Sequence, residues 1–293
     1  MTVFSIEDEL PETTLCGLLI EGAIGRLELQ RADRYNALDV QLISEIIQLL
    51  DWSAERSVGQ RGDLTDANGA RYLRVLIVSG HGKHFCAGAD INMMRDAGAR
   101  TVAENRVDSE RLDRLFNSLW AHPCFTIGCV QGVALGGGAG LIACIDHVIV
   151  EPLVRIALSE GKLGILPAVI GPYVQRRLGS AQFRRLAMLA KRIGAEEALR
   201  IGMVDEMVDE IEALADAAEA IAAEVLTTGP MAVTAVKRLA MTFDRWDGSD
   251  EELRLWTLDE TSAMRGSPEG QEGLASFLEK RLPAWQPDDE RDA

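Results

Sequence analysis

Apolar residues in this chain follow two rhythms, and the switches between them mark its elements. Leu15 to Ile20 and Ile24 to Leu29 flank Glu21-Gly22, which predicts a hairpin. After a polar loop, Arg31 to Leu38, the residues Leu42, Ile43, Ile46, Ile47 and Leu50 recur at helical spacing from Asp39 onward. Ser57 to Ala70 is polar and glycine-bearing, so a surface excursion is expected. Leu73 to Val78 has the β-branched run of a buried strand. Phe125 to Val130, His147 to Val150 and Ile156 to Leu158 read as further strands. Helices are expected from Ile91, over Leu112 to Trp120 and over Ala139 to Ile145. Between them, Ala97 to Asp113 lacks strong periodicity and reads as a mobile helix or lid. Strands alternating with helices favour an α/β core. From about Asp209 the composition shifts to alanine and glutamate, and Ile211, Leu214, Ala218, Ile221 and Val225 trace one long helix. Pro230 opens another through Lys237, and Glu251 to Met264 and Glu269 to Arg281 add two more. Trp246, Trp256 and Trp285 there suit anchoring, either on the core or on another subunit.

The pattern breaks most sharply at Gly136, Gly137 and Gly138, between the strand Phe125 to Val130 and the helix that follows. Strand, glycine turn and helix start leave bare N–H groups pointing at whatever sits there, and the helix dipole adds partial positive charge. Without Cβ atoms, a ligand can lie against the main chain. Such a place suits an oxyanion; the competing reading is a tight turn where a helix packs closely on a sheet. Neither a G-x-G-x-x-G fingerprint nor a Walker loop is present, since Leu163 follows Gly161-Lys162. A second glycine-rich loop, SGHGKHFCAGAD at 79–90, also follows a strand and is a second place where a backbone N–H is left free.

Charge and length narrow the partners. The 293 residues suffice for one large domain, or one plus an appendage. A net charge of −16 opposes association with nucleic acid or an anionic membrane. Five cysteines, Cys16, Cys86, Cys124, Cys129 and Cys144, lie in apolar surroundings without C-x-x-C spacing and read as reduced, buried thiols. The acidic N-terminus lacks a basic and an apolar signal region, and no apolar run is long enough to span a bilayer. A cytoplasmic location is expected.

Among residues able to do chemistry, Glu160 stands alone after an apolar strand, near Gly161, Gly164 and Pro167. Desolvation there raises a carboxyl pKa and prepares it to pass a proton to and fro. The plainer alternative is a glutamate that caps a helix or pairs with Lys162. His81 and His84 lack a third ligand, so no metal is expected. Asp146 reads as the end of the glycine-site helix. The absence of G-x-S-x-G and H-E-x-x-H leaves a serine hydrolase or zincin without support.

Three pieces in this order, HFCAGADI at 84–91, GVALGGGAGL at 132–141 and SEGKLGILPAVIGPYV at 159–174, together resemble the enoyl-CoA hydratase/isomerase (crotonase) family. So do the opening RADRYNAL at 31–38 and the ending GLASFLEKRLPAW at 273–285. The resemblance implies a crotonase-like ββα spiral core over 1–208 and a C-terminal helical oligomerisation region over 209–293. It further implies a homotrimer or a hexamer of paired trimers. By position, the amides of Ala89 and Gly137 would hold a thioester oxygen; losing one such donor costs about 3 kcal/mol of transition-state stabilisation. The substrate would be an acyl-CoA with no separate cofactor. Its ADP part would lie over Arg34 and over Ala87, Asp90 and Ile91, with Lys280 approaching the phosphate.

One departure matters. Many hydratases of the family carry a glutamate where this chain has Gly140, and the second glutamate of their pair corresponds to Glu160. Two readings follow from the resemblance. The run around Glu160 resembles hydratases of branched glutaconyl-CoA substrates, in which a glycine at 140 would make room for the acyl chain. Alternatively, the single glutamate serves a Δ3,Δ2-enoyl-CoA isomerase. The hydratase is the expectation taken forward, with a polar group from residues 97–113 helping to position water. A non-catalytic acyl-CoA-binding protein of this fold is the alternative from another class.

Overall fold

A computed structural model describes residues 10–286. Of the acidic N-terminal stretch 1–14 considered for a targeting signal, residues 1–9 lie outside them. In chain order the strands are β1 (Cys16–Glu21), β2 (Ile24–Leu29), β3 (Val75–Gly80), β4 (Phe125–Val130), β5 (Val133–Leu135), β6 (His147–Val150), β7 (Arg155–Ala157) and β8 (Glu206–Met207). The helices of the first half are α1 (Val40–Glu55), α2 (Val58–Arg61), α3 (Ile91–Ala97), α4 (Val102–Trp120) and α5 (Gly137–Ala143). They are followed by α6 (Gly171–Leu189), α7 (Ala195–Arg200), α8 (Leu214–Thr227), α9 (Pro230–Asp244), α10 (Asp250–Gly266) and α11 (Pro268–Glu279).

Among the described residues, six strands form a sheet in the order β1-β2-β3-β4-β6-β8, and β5 pairs with β7 in a second, two-stranded sheet. Only the β1–β2 hairpin is antiparallel; the other pairs run parallel. The α/β class expected from the alternation is therefore present. Parallel strands covered on both faces read as continuous apolar runs, and β3 shows why. Leu76 and Val78 face the large core shared with Leu42, Ile43 and Ile46 of α1, whereas Val75 and Ile77 face a smaller core closed by Leu214, Ala218 and Ala222 of α8. Helix α8 is thus an integral layer of the sheet.

The helical end of the chain is tied to this sheet by the buried Arg74 and the half-buried Lys237. Arg74 donates to the carbonyls of Val225, Leu226 and Thr228 at the end of α8, at 2.6–3.2 Å, and to that of Trp285 at 2.9 Å. A cation there satisfies orphan carbonyls and complements the helix dipole. The indole of Trp285 donates in turn to Thr227 O at 3.0 Å, so this tryptophan anchors on its own chain. Trp256 packs on Trp246 and on Phe243 between α9 and α10. Lys237 of α9 reaches the carboxylate of Asp146 at 2.6 Å and the carbonyls of His122 and Cys124. Asp146 also accepts from the Thr126 amide and hydroxyl, which makes it a structural joint beyond the end of α5.

One sequence expectation needs correction. The segment 57–70 is not wholly a surface excursion: Ser57 and Val58 are buried at its start, and the carboxylate of Asp66 holds the Asn68 and Ala70 amides. In the segment 97–113, read as a mobile helix or lid, a helix is present. Thr101 and Glu104 form a reciprocal capping box, and α4 runs unbroken from Val102 to Trp120. Its first turns are solvent-facing on most sides, which is why no apolar rhythm marks them. Helix α6 escaped the sequence reading because Gly179, at φ 75°, interrupts it.

All five cysteines are free and buried. Burial pushes the thiols of Cys86 and Cys124 up to about 12, so neither is a nucleophile at neutral pH.

Candidate active site

The two glycine loops marked in the sequence meet. The Cys86 amide donates to Val133 O and the Leu135 amide to Cys86 O, both at 3.1 Å, lacing residues 85–89 onto β5. At the end of β5, the Gly136 amide donates to Ala157 O at 2.8 Å and its φ of 50° turns the chain into α5. The approach is too close for side chains. A Cβ on Gly138 would lie 2.2 Å from Cys86 O, and one on Gly88 would lie 2.5 Å from Leu135 O and 3.3 Å from the Gly137 nitrogen. The Ala89 nitrogen in turn lies 3.8 Å from where a Cβ on Gly137 would be. The residues on each side of Ala89 are engaged with Leu38, through Leu38 N to Gly88 O and Asp90 N to Leu38 O. Among the described residues, the amides of Ala89 and Gly137 themselves have no backbone or side-chain acceptor. Two unspent N–H donors therefore sit side by side, one at a helix start.

Glu160 joins them from a 3-10 turn, Ser159–Leu163, that follows β7. A Cβ on Gly136 would lie 3.3 Å from Glu160 Oε1, so the carboxylate borders the same turn. Its Oε2 is buried and has no hydrogen-bond partner, and no ion pair joins it to Lys162 among the described residues. Burial pushes this carboxyl above the ordinary glutamate value, offset in part by its own backbone N–H. A buried acid with one open oxygen can take and return a proton.

Two cavities meet at this centre, and Ala89, Gly137 and Glu160 line both. One, of about 260 Å³, extends along α4 past Phe116 and Leu112 to Asn105. The other, of about 600 Å³, extends past Ala87 and Ile91 to the cations of Lys162, Lys191 and Arg192. Asp90 is buried and committed. It caps α3 by accepting from the Asn92 amide and binds Arg31 at 2.9 Å. Burial opposes its ionisation, but the Arg31 and Asn92 hydrogen bonds outweigh that and hold its pKa below the ordinary aspartate value. Arg34 is exposed beside Asp33, and Lys280 ends α11 in a left-handed turn; neither lines these cavities.

Gly140 requires a correction. It does not make room for an acyl chain, because a Cβ there would lie 2.4 Å from Ile170 Cγ2 and 3.0 Å from Phe116 Cε1. Hydrocarbon from α4 and from the residue before α6 fills the space, so the space at 140 does not support a branched acyl group; the resemblance of the run around Glu160 is a separate matter. The sequence reading also missed Asn105, Lys191 and Arg192. Counting back from Phe116 and Leu112 in helical steps would have found Asn105; the two cations lie in a loop with no local signal. His84 packs edge-on against Tyr35, and among the described residues no group of three His, Cys, Asp or Glu side chains is placed to hold a metal ion.

Strands in parallel order, two neighbouring unspent main-chain amides and one buried acid beside them narrow the class of fold, and comparison with known proteins gives its family. Residues 20–288 match the family model described as enoyl-CoA hydratase/isomerase, and the chain belongs to that family. An enoyl-CoA hydratase from Shewanella pealeana has a similar crystal structure, with a TM-score of 0.84 and 34% identity over 94% of this chain and 97% of that one. Pseudomonas aeruginosa AtuE superposes with a TM-score of 0.84 at 31% identity, over 94% of this chain and all, 100%, of that one. The carnitinyl-CoA dehydratase of Escherichia coli O157:H7 is 32% identical over 73% of this chain and 82% of its own length. No helix among the described residues is long and apolar enough to cross a membrane.

Proposed function

We propose that this protein is a hydratase of 2-enoyl-CoA thioesters and that the amides of Ala89 and Gly137 hold the thioester oxygen. The observation carrying the reading is the unpartnered Oε2 of Glu160, buried beside two unspent N–H donors. Water adds its oxygen to C3 while Glu160 takes one of its protons. The double-bond electrons move onto the thioester as an enolate, which the two amides stabilise. Glu160 then delivers the proton to C2, and the carbonyl re-forms. The other product hydrogen stays on the new hydroxyl, so the sum is one water added.

The coenzyme A portion would lie in the larger cavity against Ala87 and Ile91, with Asp90 fixing the turn beneath it. Arg34 and Lys280 would reach its phosphates from outside that cavity, Lys280 from a neighbouring subunit of a cytoplasmic trimer or hexamer. The helices after residue 208 would supply that assembly. A second reading, the Δ3,Δ2-enoyl-CoA isomerase, draws support from Gly140. Ile170 and Phe116 leave no space there for a second acid, and migration of a double bond between C2 and C4 needs only one.

Glu160→Gln is expected to abolish turnover while acyl-CoA binding, read by calorimetry, stays within a few-fold. Panels of 2-enoyl- and 3-enoyl-CoA separate the readings. Hydration supports the first and migration without hydration the second, while binding with neither would leave a non-catalytic protein. Normal turnover by the glutamine variant would remove the mechanism altogether.

A further inference from the structure

The smaller cavity has two unlike ends. Phe116, one face of α4, packs against Gly140 beside the reactive centre, and Asn105 lies eleven residues earlier on that helix. At the α-helical rise this is about 16 Å along the axis, so the cavity has a remote end, and that end is polar. Asn105 Nδ2 donates to Ala97 O at 3.0 Å, which fixes the orientation of the amide and leaves Oδ1 as its free acceptor. That Oδ1 is buried and has no hydrogen-bond partner. The polar side chains around it are spent: the Ser109 hydroxyl donates to Asn105 O, and both Asp108 oxygens are held, by Arg100 at 2.6 Å and Arg111 at 2.8 Å. A buried carbonyl without a donor is unfavourable, so a hydrocarbon tail is poorly matched to this end. A carboxylate tail is repelled by the same oxygen.

We infer that Asn105 selects acyl chains that carry a hydrogen-bond donor, a hydroxyl or an amide N–H, at the tail. The inference rests on the acyl-CoA reading of this cavity proposed above. Binding tests it without relying on turnover. The probes are octanoyl-CoA, its ω-hydroxylated form and its ω-carboxylated form, titrated calorimetrically against the full-length protein. The hydroxylated ligand is expected to bind about 10-fold more tightly than the plain one. Asn105→Leu should erase that preference. Asn105→Asp, which keeps an acceptor but loses the Ala97 bond, should retain it over the plain chain, and thermal unfolding checks that both variants are folded.

Equal binding of the plain and hydroxylated ligands by the wild type would overturn the inference. So would a preference surviving in Asn105→Leu, a loss in both variants alike, or tightest binding by the carboxylated ligand. The same three acyl chains as 2-enoyl thioesters then report on hydration separately. A hydroxyl preference in binding without any hydration would sink the hydratase reading and leave the tail recognition standing.

Discussion

Along one wall of the smaller cavity lies Gly137, where it and its neighbours Gly88 and Gly138 bring two loops together through main chain, while along the wall built by α4 the lining comes from Asn105, Leu112 and Phe116. The glycine wall cannot accept side chains, since a Cβ on Gly138 would lie 2.2 Å from a carbonyl oxygen. It therefore keeps one shape and one chemistry, two N–H donors at a fixed place. The α4 wall presents side chains on a capped helix whose backbone does not depend on what they are. Under the proposed function this difference would divide the labour: the glycine wall would stabilise developing charge, and the α4 wall would decide which acyl group fits.

The strongest way to break this comparison is to put a side chain on the glycine wall. Gly88→Ala sets a Cβ at 2.5 Å from Leu135 O in a residue whose φ is 90°, so both sterics and backbone oppose it. If the wall works through its amides, turnover on a 2-enoyl-CoA should fall by about 10²–10³-fold, the cost of a displaced oxyanion donor. Steady-state kinetics on the folded variant reads this, and near-normal turnover would mean the amides are not used.

A smaller effect is expected where the two walls touch. Gly140→Ala drives a Cβ into Ile170 and Phe116 and should lower stability by about 1–3 kcal/mol through overpacking. Ile170→Ala in the same chain should recover part of that loss, a coupling that a double-mutant cycle of urea midpoints measures. Additive effects would show that the contact is not the cause.

The smallest effect concerns the acid between the walls. The pKa of Glu160 is raised in the folded chain, so the stability linked to it is fully present below the unfolded value and is lost as pH rises through the folded one. Glu160→Gln has no such loss. The variant should therefore melt higher than the wild type at neutral pH, with the gap closing toward acid; a constant gap would separate the shift from burial of the carboxyl.

How much of this was legible beforehand depended on the kind of signal. Strand β4 and helix α1 announce themselves because burial imposes a period on the apolar residues. The three glycines at 136–138 announced a close approach, because only a missing side chain permits it. Helix α4 was half hidden: its apolar face begins only at Leu112, and its start depends on the Thr101–Glu104 capping box. Gly140 misled, since a glycine in a sequence shows that a side chain is missing and not whether a neighbour has taken the space.

Local order in the chain determined by itself that a strand, a glycine turn and a short helix follow one another at 125–143, and that a lone glutamate follows the strand near 156. Those are matters of backbone freedom and apolar period, which act between near neighbours. Only the tertiary structure decided that the Ala89 and Gly137 amides stand together, that Glu160 Oε2 is left without a partner, and that Ile170 and Phe116 occupy the room beside Gly140. Each of these depends on which distant segments come into contact, and close packing leaves no slack for composition alone to reveal.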